Sequence, residues 1–196
     1  MVVELGNPEM KDDLLGLGKQ VESCRRCRLW EGRYKLVFGE GPEDAEIVLV
    51  GLGPGYNENL EGRPFIGAAG KLLNKLLALA GLKREDVYIT NVVKCYLPDN
   101  KVTDEEIRAC TPYLNKQIEI IKPKIIVLLG NVATNYIFNR FGLQPTSMRN
   151  LHGKIFSIST LFLQTKIIPM YHPAAALRNP GLKDVVRNDW KNLGEC

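Results

Sequence analysis

The cysteines are the residues of this chain whose type and spacing most directly suggest chemistry. Cys24 and Cys27 form a C-x2-C pair, Cys95 and Cys110 a C-x14-C pair, and 67 residues separate the two pairs. Four thiolates drawn from two distant pairs can close around a tetrahedral site, and soft sulfur ligands suit zinc or an iron–sulfur cluster. Spacing by itself favours structural zinc. A redox role for Cys24 and Cys27 is disfavoured, because the pair does not follow a strand of a βαβ unit. Cys196 belongs to neither pair and reads as a free thiol.

Three other places carry polar groups that suit a ligand. The run Gly51-Leu52-Gly53-Pro54-Gly55 is a glycine-dense turn, which lets another molecule approach the main chain and aims N–H groups at it. It is not a nucleotide motif. A dinucleotide fingerprint needs glycine where Tyr56 stands, and a phosphate loop ending in Gly70-Lys71 needs glycine in place of Phe65 and Ser or Thr in place of Leu72. Asn91, within Thr90-Asn91-Val92-Val93-Lys94-Cys95, offers an amide that both donates and accepts, which suits a nucleobase edge; out of context it is as readily a turn former. His172, followed by Pro173, can donate to a developing anion or exchange a proton. His152, beside Gly153 and without a motif, reads as a structural histidine.

These residues need elements to position them. Four apolar segments rich in Val, Ile and Leu, at 47–50, 87–93, 125–129 and 166–170, read as buried strands. Between the first two, residues 68–80 place Leu72, Leu73, Leu76, Leu77 and Ala80 at helical spacing. Between the second and third, residues 104–121 place Ile107, Cys110, Leu114 and Ile118 on one face, and Thr103 with Glu106 forms a capping-box signature. Helices are also expected at 131–141 and 183–192, and a hairpin at 155–163. Strand alternating with helix predicts an α/β fold with a parallel sheet and right-handed connections. In such sheets ligands lie beyond the carboxyl ends of the strands, where the turn at 51–55, Asn91 and His172 all fall.

Composition bounds the rest. The chain has 196 residues, 22.0 kDa, 45% hydrophobic and 24% charged residues, and a formal charge of 26 − 22 = +4, which suits one ordinary folded domain. No apolar run approaches the ~20 residues that cross a bilayer. The segment 1–19 carries Glu4, Glu9, Asp12 and Asp13 and lacks the pattern of a secretory signal, so a cytoplasmic protein with reduced thiols is expected. Four Gln in the chain, against many Lys, Ile and Leu, hint at a thermophile.

Taken together the motifs resemble the thermostable iron–sulfur (family 4) uracil-DNA glycosylases. The resemblance rests on Cys24 and Cys27, Gly39-Glu40-Gly41, the glycine turn at 51–55, Glu61-Gly62-Arg63-Pro64-Phe65-Ile66-Gly67, the run from Thr90 to Cys95, Cys110, and His172-Pro173-Ala174-Ala175 continuing to Leu177-Arg178-Asn179-Pro180. It implies an α/β/α sandwich around a four-stranded parallel sheet, one domain over residues 1–196 with an N-terminal helical arm over 1–23. It also implies a [4Fe–4S] cluster, rather than zinc, on Cys24, Cys27, Cys95 and Cys110. The implied reaction is hydrolysis of the N-glycosidic bond of uracil in DNA.

Roles follow from the same resemblance. Phe65 would stack on the flipped base, Asn91 would read its edge, and Gly53 and Gly55 would line the pocket. His172 and the Gly53 N–H would stabilise charge on the departing base, while Pro173, Ala174, Arg178 and Arg63 would meet DNA. Leu52 stands where the family commonly has Glu, so Glu58 is assigned as the residue that positions water, with Asn57 as a helper. The loss of that acid leaves two alternatives, a catalytically weak uracil- or abasic-DNA-binding relative and a glycosylase of altered base preference. A monomer is expected, with a sliding clamp or other repair proteins as candidate partners. A modest positive face bearing Arg63, Lys71, Lys94 and Arg178 would supply weak, salt-sensitive contact with DNA.

Overall fold

The apolar runs enter one sheet because each can be buried on both sides. Ile47–Gly51 (β1) pairs in parallel with Tyr88–Asn91 (β2) on one side and Ile125–Leu129 (β3) on the other. Two further strands, Phe156–Ser159 (β4) and Gln164–Met170 (β5), form a hairpin, with β5 parallel to β3 and β4 antiparallel to β5. The order is β2-β1-β3-β5-β4. This structure, a computed structural model, describes residues 13–195. Residues 1–12, which include the start of the expected arm, and Cys196 lie outside the described residues.

The four parallel strands match the expectation, and β4 makes a fifth. The hairpin expected at 155–163 forms, but its return strand is β5 itself, because Thr160 closes the turn. Its N–H donates to the Leu163 carbonyl (2.9 Å), and its Oγ1 accepts from the N–H groups of Phe162 (3.3 Å) and Leu163 (3.0 Å). Pairing of β4 stops at Ile167, so Pro169 falls where β5 has no neighbour on that side needing its missing N–H.

Helices cover both faces. Leu14–Glu22 (α1) and the short Tyr56–Glu61 (α2) come first, then Ala68–Leu79 (α3), Asp104–Ile121 (α4) and Asn131–Arg140 (α5). Met148–Leu151 (α6), Pro173–Arg178 (α7) and Lys183–Leu193 (α8) complete the order. The strands' period of two sorts their side chains between the layers. Val48, Val50, Ile126, Leu128 and Ile167 pack with Leu14, Leu114, Ile118, Ile137 and Phe138, from α1, α4 and α5. Leu49, Val127, Leu129, Ile168 and Met170 pack with Leu73, Leu76, Leu77, Val186 and Trp190, from α3 and α8. The capping box at α4 is present: Thr103 N–H donates to Glu106 Oε2 (2.8 Å) and Glu106 N–H to Thr103 Oγ1 (3.2 Å). Glu106 also accepts from Arg28 Nε at 2.7 Å, which ties the segment after Cys27 to the start of α4.

Chain direction places the functional crevice. From β1 the sheet grows one way to β2 and the other way to β3, so the loops after β1 and β3 part at a topological switch point.

Candidate active site

Asn91 is the last residue of β2, in register with Gly51 of β1. It is only 2% exposed, and its Oδ1 has no hydrogen-bond partner. A buried amide oxygen without a donor costs about 1–3 kcal/mol, which an N–H entering the space beside it would recover. Gly51 makes the space. A β-carbon there would stand 2.5 Å from Asn91 Oδ1 and 2.6 Å from Phe65 Cζ.

Phe65 is buried and has a left-handed backbone, φ 50°, uncommon for an aromatic residue. Several contacts hold it there. Arg84 donates to the carbonyls of Phe65 (Nη1, 3.1 Å) and Pro64 (Nη2, 2.6 Å), and is itself held by Glu40 and Asn74. The bare Cα of Gly70 lets α3 close on the loop, since a β-carbon there would lie 1.7 Å from the Phe65 oxygen.

His172 ends the segment after β5 and caps α7. Its Nδ1 accepts from the Ala174 N–H at 3.1 Å, so the ring proton of the neutral form sits on Nε2. Burial, and secondarily the Arg178 charge, push its pKa down to about 4 against the opposing charge of Glu58. His172 is therefore an uncharged donor at neutral pH. Its ring lies on Phe65, centroids 5.5 Å apart and planes 29° from parallel. Gly130, at φ 94°, passes behind it, where a β-carbon would come within 3.3 Å of His172 Cβ.

A pocket of about 500 Å³ brings Gly53, Gly55, Glu58, Phe65, Asn91, His172, Ala174 and Arg178 together. Glu58, on α2, is anchored through Oε1, which accepts the N–H groups of Ile66 (3.0 Å) and Gly67 (3.0 Å) at the start of α3. Its Oε2 lies over Gly55, where a β-carbon would approach to 2.8 Å. Leu52 faces the same pocket. Pro173 is buried as the first residue of α7 and does not line it. A wider groove of about 910 Å³ between α1 and residues 33–43 contains none of the predicted site residues.

Two of the basic residues expected to face DNA differ in exposure, Arg63 lying at the surface and Lys94 in the core. Arg63 is outside the pocket, its Nε 2.8 Å from Glu40 Oε2. Lys94 is 0% exposed and cannot belong to a DNA-facing surface; its ammonium is spent on internal acceptors. The sequence reading also missed Gly130, Asn131 and Val132, which line the pocket at the start of α5, and Asn100, which reaches it from the loop after β2. The signal for the first group was the carboxyl end of β3, read only as a helix start. His152, taken as structural, pairs through Nδ1 with Asp189 Oδ2 at 2.8 Å, away from the pocket.

The four thiols converge on a second place. Cys24 follows α1, Cys27 precedes the turn Arg28–Trp30, Cys95 follows β2, and Cys110 lies in α4. All four are free and line one small cavity with Arg33 and Lys94. Arg33 Nη1 donates to Cys95 Sγ (3.7 Å) and to the Val21 carbonyl (3.2 Å). Burial pushes the Cys110 thiol up to about 11, opposed by Lys94; burial likewise raises Cys27 and Cys95, and the charges of neighbouring cysteines raise them further. Deprotonation of all four together would require a cation among them. Among the described residues no three His, Cys, Asp or Glu side chains are grouped for a single ion.

Comparison with known proteins agrees with this geometry. Residues 38–194 match the family described as the Uracil DNA glycosylase superfamily. A type-4 uracil-DNA glycosylase of Sulfurisphaera tokodaii is 47% identical over 186 residues, 94% of this chain and 84% of that protein. Another, from Archaeoglobus fulgidus, is 46% identical over 188 residues, 95% of this chain and 93% of its own. A type-5 uracil-DNA glycosylase of Pyrobaculum aerophilum is 30% identical over 183 residues, 86% of this chain and 78% of its own.

Proposed function

The chain belongs to the uracil DNA glycosylase superfamily, alongside its type-4 members, and from that premise we propose how its pocket removes uracil from DNA. The enzyme hydrolyses the bond between uracil and deoxyribose, releasing the base and leaving an abasic site. A base inside a duplex is out of reach, so the nucleotide is flipped into the pocket at a cost of a few kcal/mol, least for a mispaired uracil. Ala174 and Arg178, at the pocket on α7, meet the strand as it enters.

Asn91 reads the base. Its orphaned Oδ1 accepts from uracil N3–H and its Nδ2 donates to O4. Cytosine presents the opposite polarity at both positions, which leaves buried groups unpaired and makes rejection strong. Phe65 offers its ring as the stacking surface, and bare Gly51 leaves room for both side chains. The unpartnered amide oxygen of Asn91, at the floor of a pocket that also holds a neutral histidine, is the observation that carries this reading.

Bond cleavage leaves the electron pair on uracil N1, and the charge spreads to O2. His172 donates Nε2–H there, and the Gly53 N–H is the second donor. A neutral donor suits the task because it stabilises the anion without first protonating it. Water attacks the sugar C1′; Glu58, with Oε1 tied to two N–H groups, presents Oε2 to orient that water and take its proton. Leu52 contributes an apolar wall and no charge.

Cys24, Cys27, Cys95 and Cys110 are assigned to a [4Fe–4S] cluster, an assignment supported by their shared cavity and by the likeness to type-4 uracil-DNA glycosylases. When bound it supplies a fixed joint between the segment after α1, the end of β2 and α4, and no electron to the hydrolysis. A colourless, zinc-loaded protein would overturn that assignment.

The activity itself is tested with a labelled oligonucleotide carrying one uracil, followed by alkaline cleavage of abasic sites. Scission at the uracil is expected with the U·G duplex. No scission with duplex or single-stranded substrate, at enzyme excess, would refute the reading, and binding without scission would favour the weak binder that Leu52 suggested.

A further inference from the structure

Lys94 is a buried amine that the reaction does not use. Its Nζ donates to Thr90 Oγ1 (2.6 Å), Gln117 Oε1 (2.6 Å) and the main-chain oxygen of Asn91 (2.7 Å). An ammonium has three protons, and all are placed. None of these acceptors is a carboxylate, so a buried amine is held on neutral oxygens, an unusual arrangement for a residue type almost always at the surface. Packing alone would be served as well by an apolar side chain of similar length.

The topology shows what its N–H groups do. β2 is an edge strand, and its outward backbone groups need partners from outside the sheet. Ile89 finds one in a two-way bridge with Glu40 (3.0 and 2.8 Å). Two residues on, Asn91 turns its carbonyl to the same side, beyond the end of that bridge, and Lys94 Nζ supplies the donor. Lys94 is a firm post: its own carbonyl accepts from Val37 N–H at 3.1 Å, and Gln117, whose Oε1 accepts from its Nζ, donates through Nε2 to the Phe38 carbonyl (2.9 Å) and to Tyr88 Oη (3.0 Å).

We propose that Lys94 is the positioning residue for base selection, holding the backbone of Asn91 so that its side-chain amide faces the pocket in one orientation. This rests on Asn91 as the uracil reader, and the test keeps the two claims apart. Affinity is measured for a duplex carrying 2′-fluoro-2′-deoxyuridine, which resists hydrolysis, and for the same duplex with the 2′-fluoro-cytosine nucleotide. The proteins are the intact chain, Asn91→Ala, Lys94→Met and the double variant.

Preference for uracil in the intact protein and its loss in Asn91→Ala establish the reader; absence of either refutes that reading, and this proposal falls with it. Lys94→Met is then expected to lower the preference about 10- to 100-fold, with affinity for undamaged duplex unchanged, as leaving the buried Asn91 carbonyl without its donor implies. In the Asn91→Ala background it should change the preference no further. Equal loss of affinity for both duplexes, or the same drop in the Asn91→Ala background, overturns the proposal. Should Lys94→Met not fold, Gln117→Leu carries the test: it removes one acceptor and should lower the preference several-fold, and an unchanged preference overturns the proposal.

Discussion

Protonation of His172 couples the catalytic donor to stability. In the unfolded chain its pKa is near the ordinary 6.5, whereas in the fold it is held at about 4 by burial and by Arg178. Below pH 6.5 the unfolded chain takes up a proton that the native protein refuses. Stability therefore falls as pH drops from about 6.5, and the loss levels off near pH 4, where the native ring also protonates. Between pH 7.5 and 4.5 this amounts to about 2.5 kcal/mol, because each tenfold difference in proton affinity between the two states is worth ~1.4 kcal/mol once the ring has titrated. His172→Asn isolates the effect. Asparagine keeps a side-chain oxygen to accept the Ala174 N–H, a good cap, but neither titrates nor offers Nε2–H. Denaturation of both proteins across this range should show the wild type losing about 2.5 kcal/mol more than the variant, and a ¹⁵N titration should show the ring neutral with Nε2 protonated at pH 6. Single-turnover excision by the variant should fall ~100- to 1,000-fold, as when one oxyanion donor is removed. Equal pH slopes for the two proteins, or a ring that titrates near 6.5, would refute the neutral-donor assignment.

Three further outcomes are expected. Gly51→Ala should fold with a penalty of about 1–3 kcal/mol from overpacking and lose most of its affinity for uracil-containing duplex, because the new methyl displaces Asn91 and Phe65; retained affinity in a binding titration would contradict the crowding at that position. If the proposed iron–sulfur cluster is bound, Cys110→Ser should lose its broad visible absorbance and melt at lower temperature, measured by absorbance and calorimetry on the purified variant. Arg178→Ala should weaken DNA binding and lower the salt dependence of affinity by about one counterion, whereas Arg63→Ala, already paired with Glu40, should alter that slope little; both follow from affinity measured over a range of salt concentrations.

Much of the fold was legible because its signals are local. The capping box at Thr103 and Glu106 marks the start of α4 in four consecutive positions, and the Val- and Ile-rich runs that became β1, β2, β3 and β5 are buried on both faces. β4 was harder to see. Phe156–Ser159 is only four residues of alternating exposure, and it becomes a strand because Thr160 locks the turn that returns to β5. At the site, the carboxyl-end rule located Asn91 and His172 from the strand pattern alone. Contacts between distant segments left no such trace. The hold of Arg84 on Phe65, the anchoring of Glu58 by the start of α3, and the packing of Gly130 behind His172 join residues from separate loops. Lys94 was misplaced for a different reason. Composition puts lysine in water, and only a pocket made from Thr90, Gln117 and the end of an edge strand overrides that preference.

The central claim is that the unpartnered oxygen of Asn91 is the acceptor for uracil N3–H, and a crystal structure of the protein with free uracil tests it most directly. The base should lie in the pocket beside Phe65, with Asn91 Oδ1 about 2.7–3.2 Å from N3 and His172 Nε2 at a similar distance from O2. Uracil bound elsewhere, or seated with its N3 edge turned away from Asn91, would contradict it.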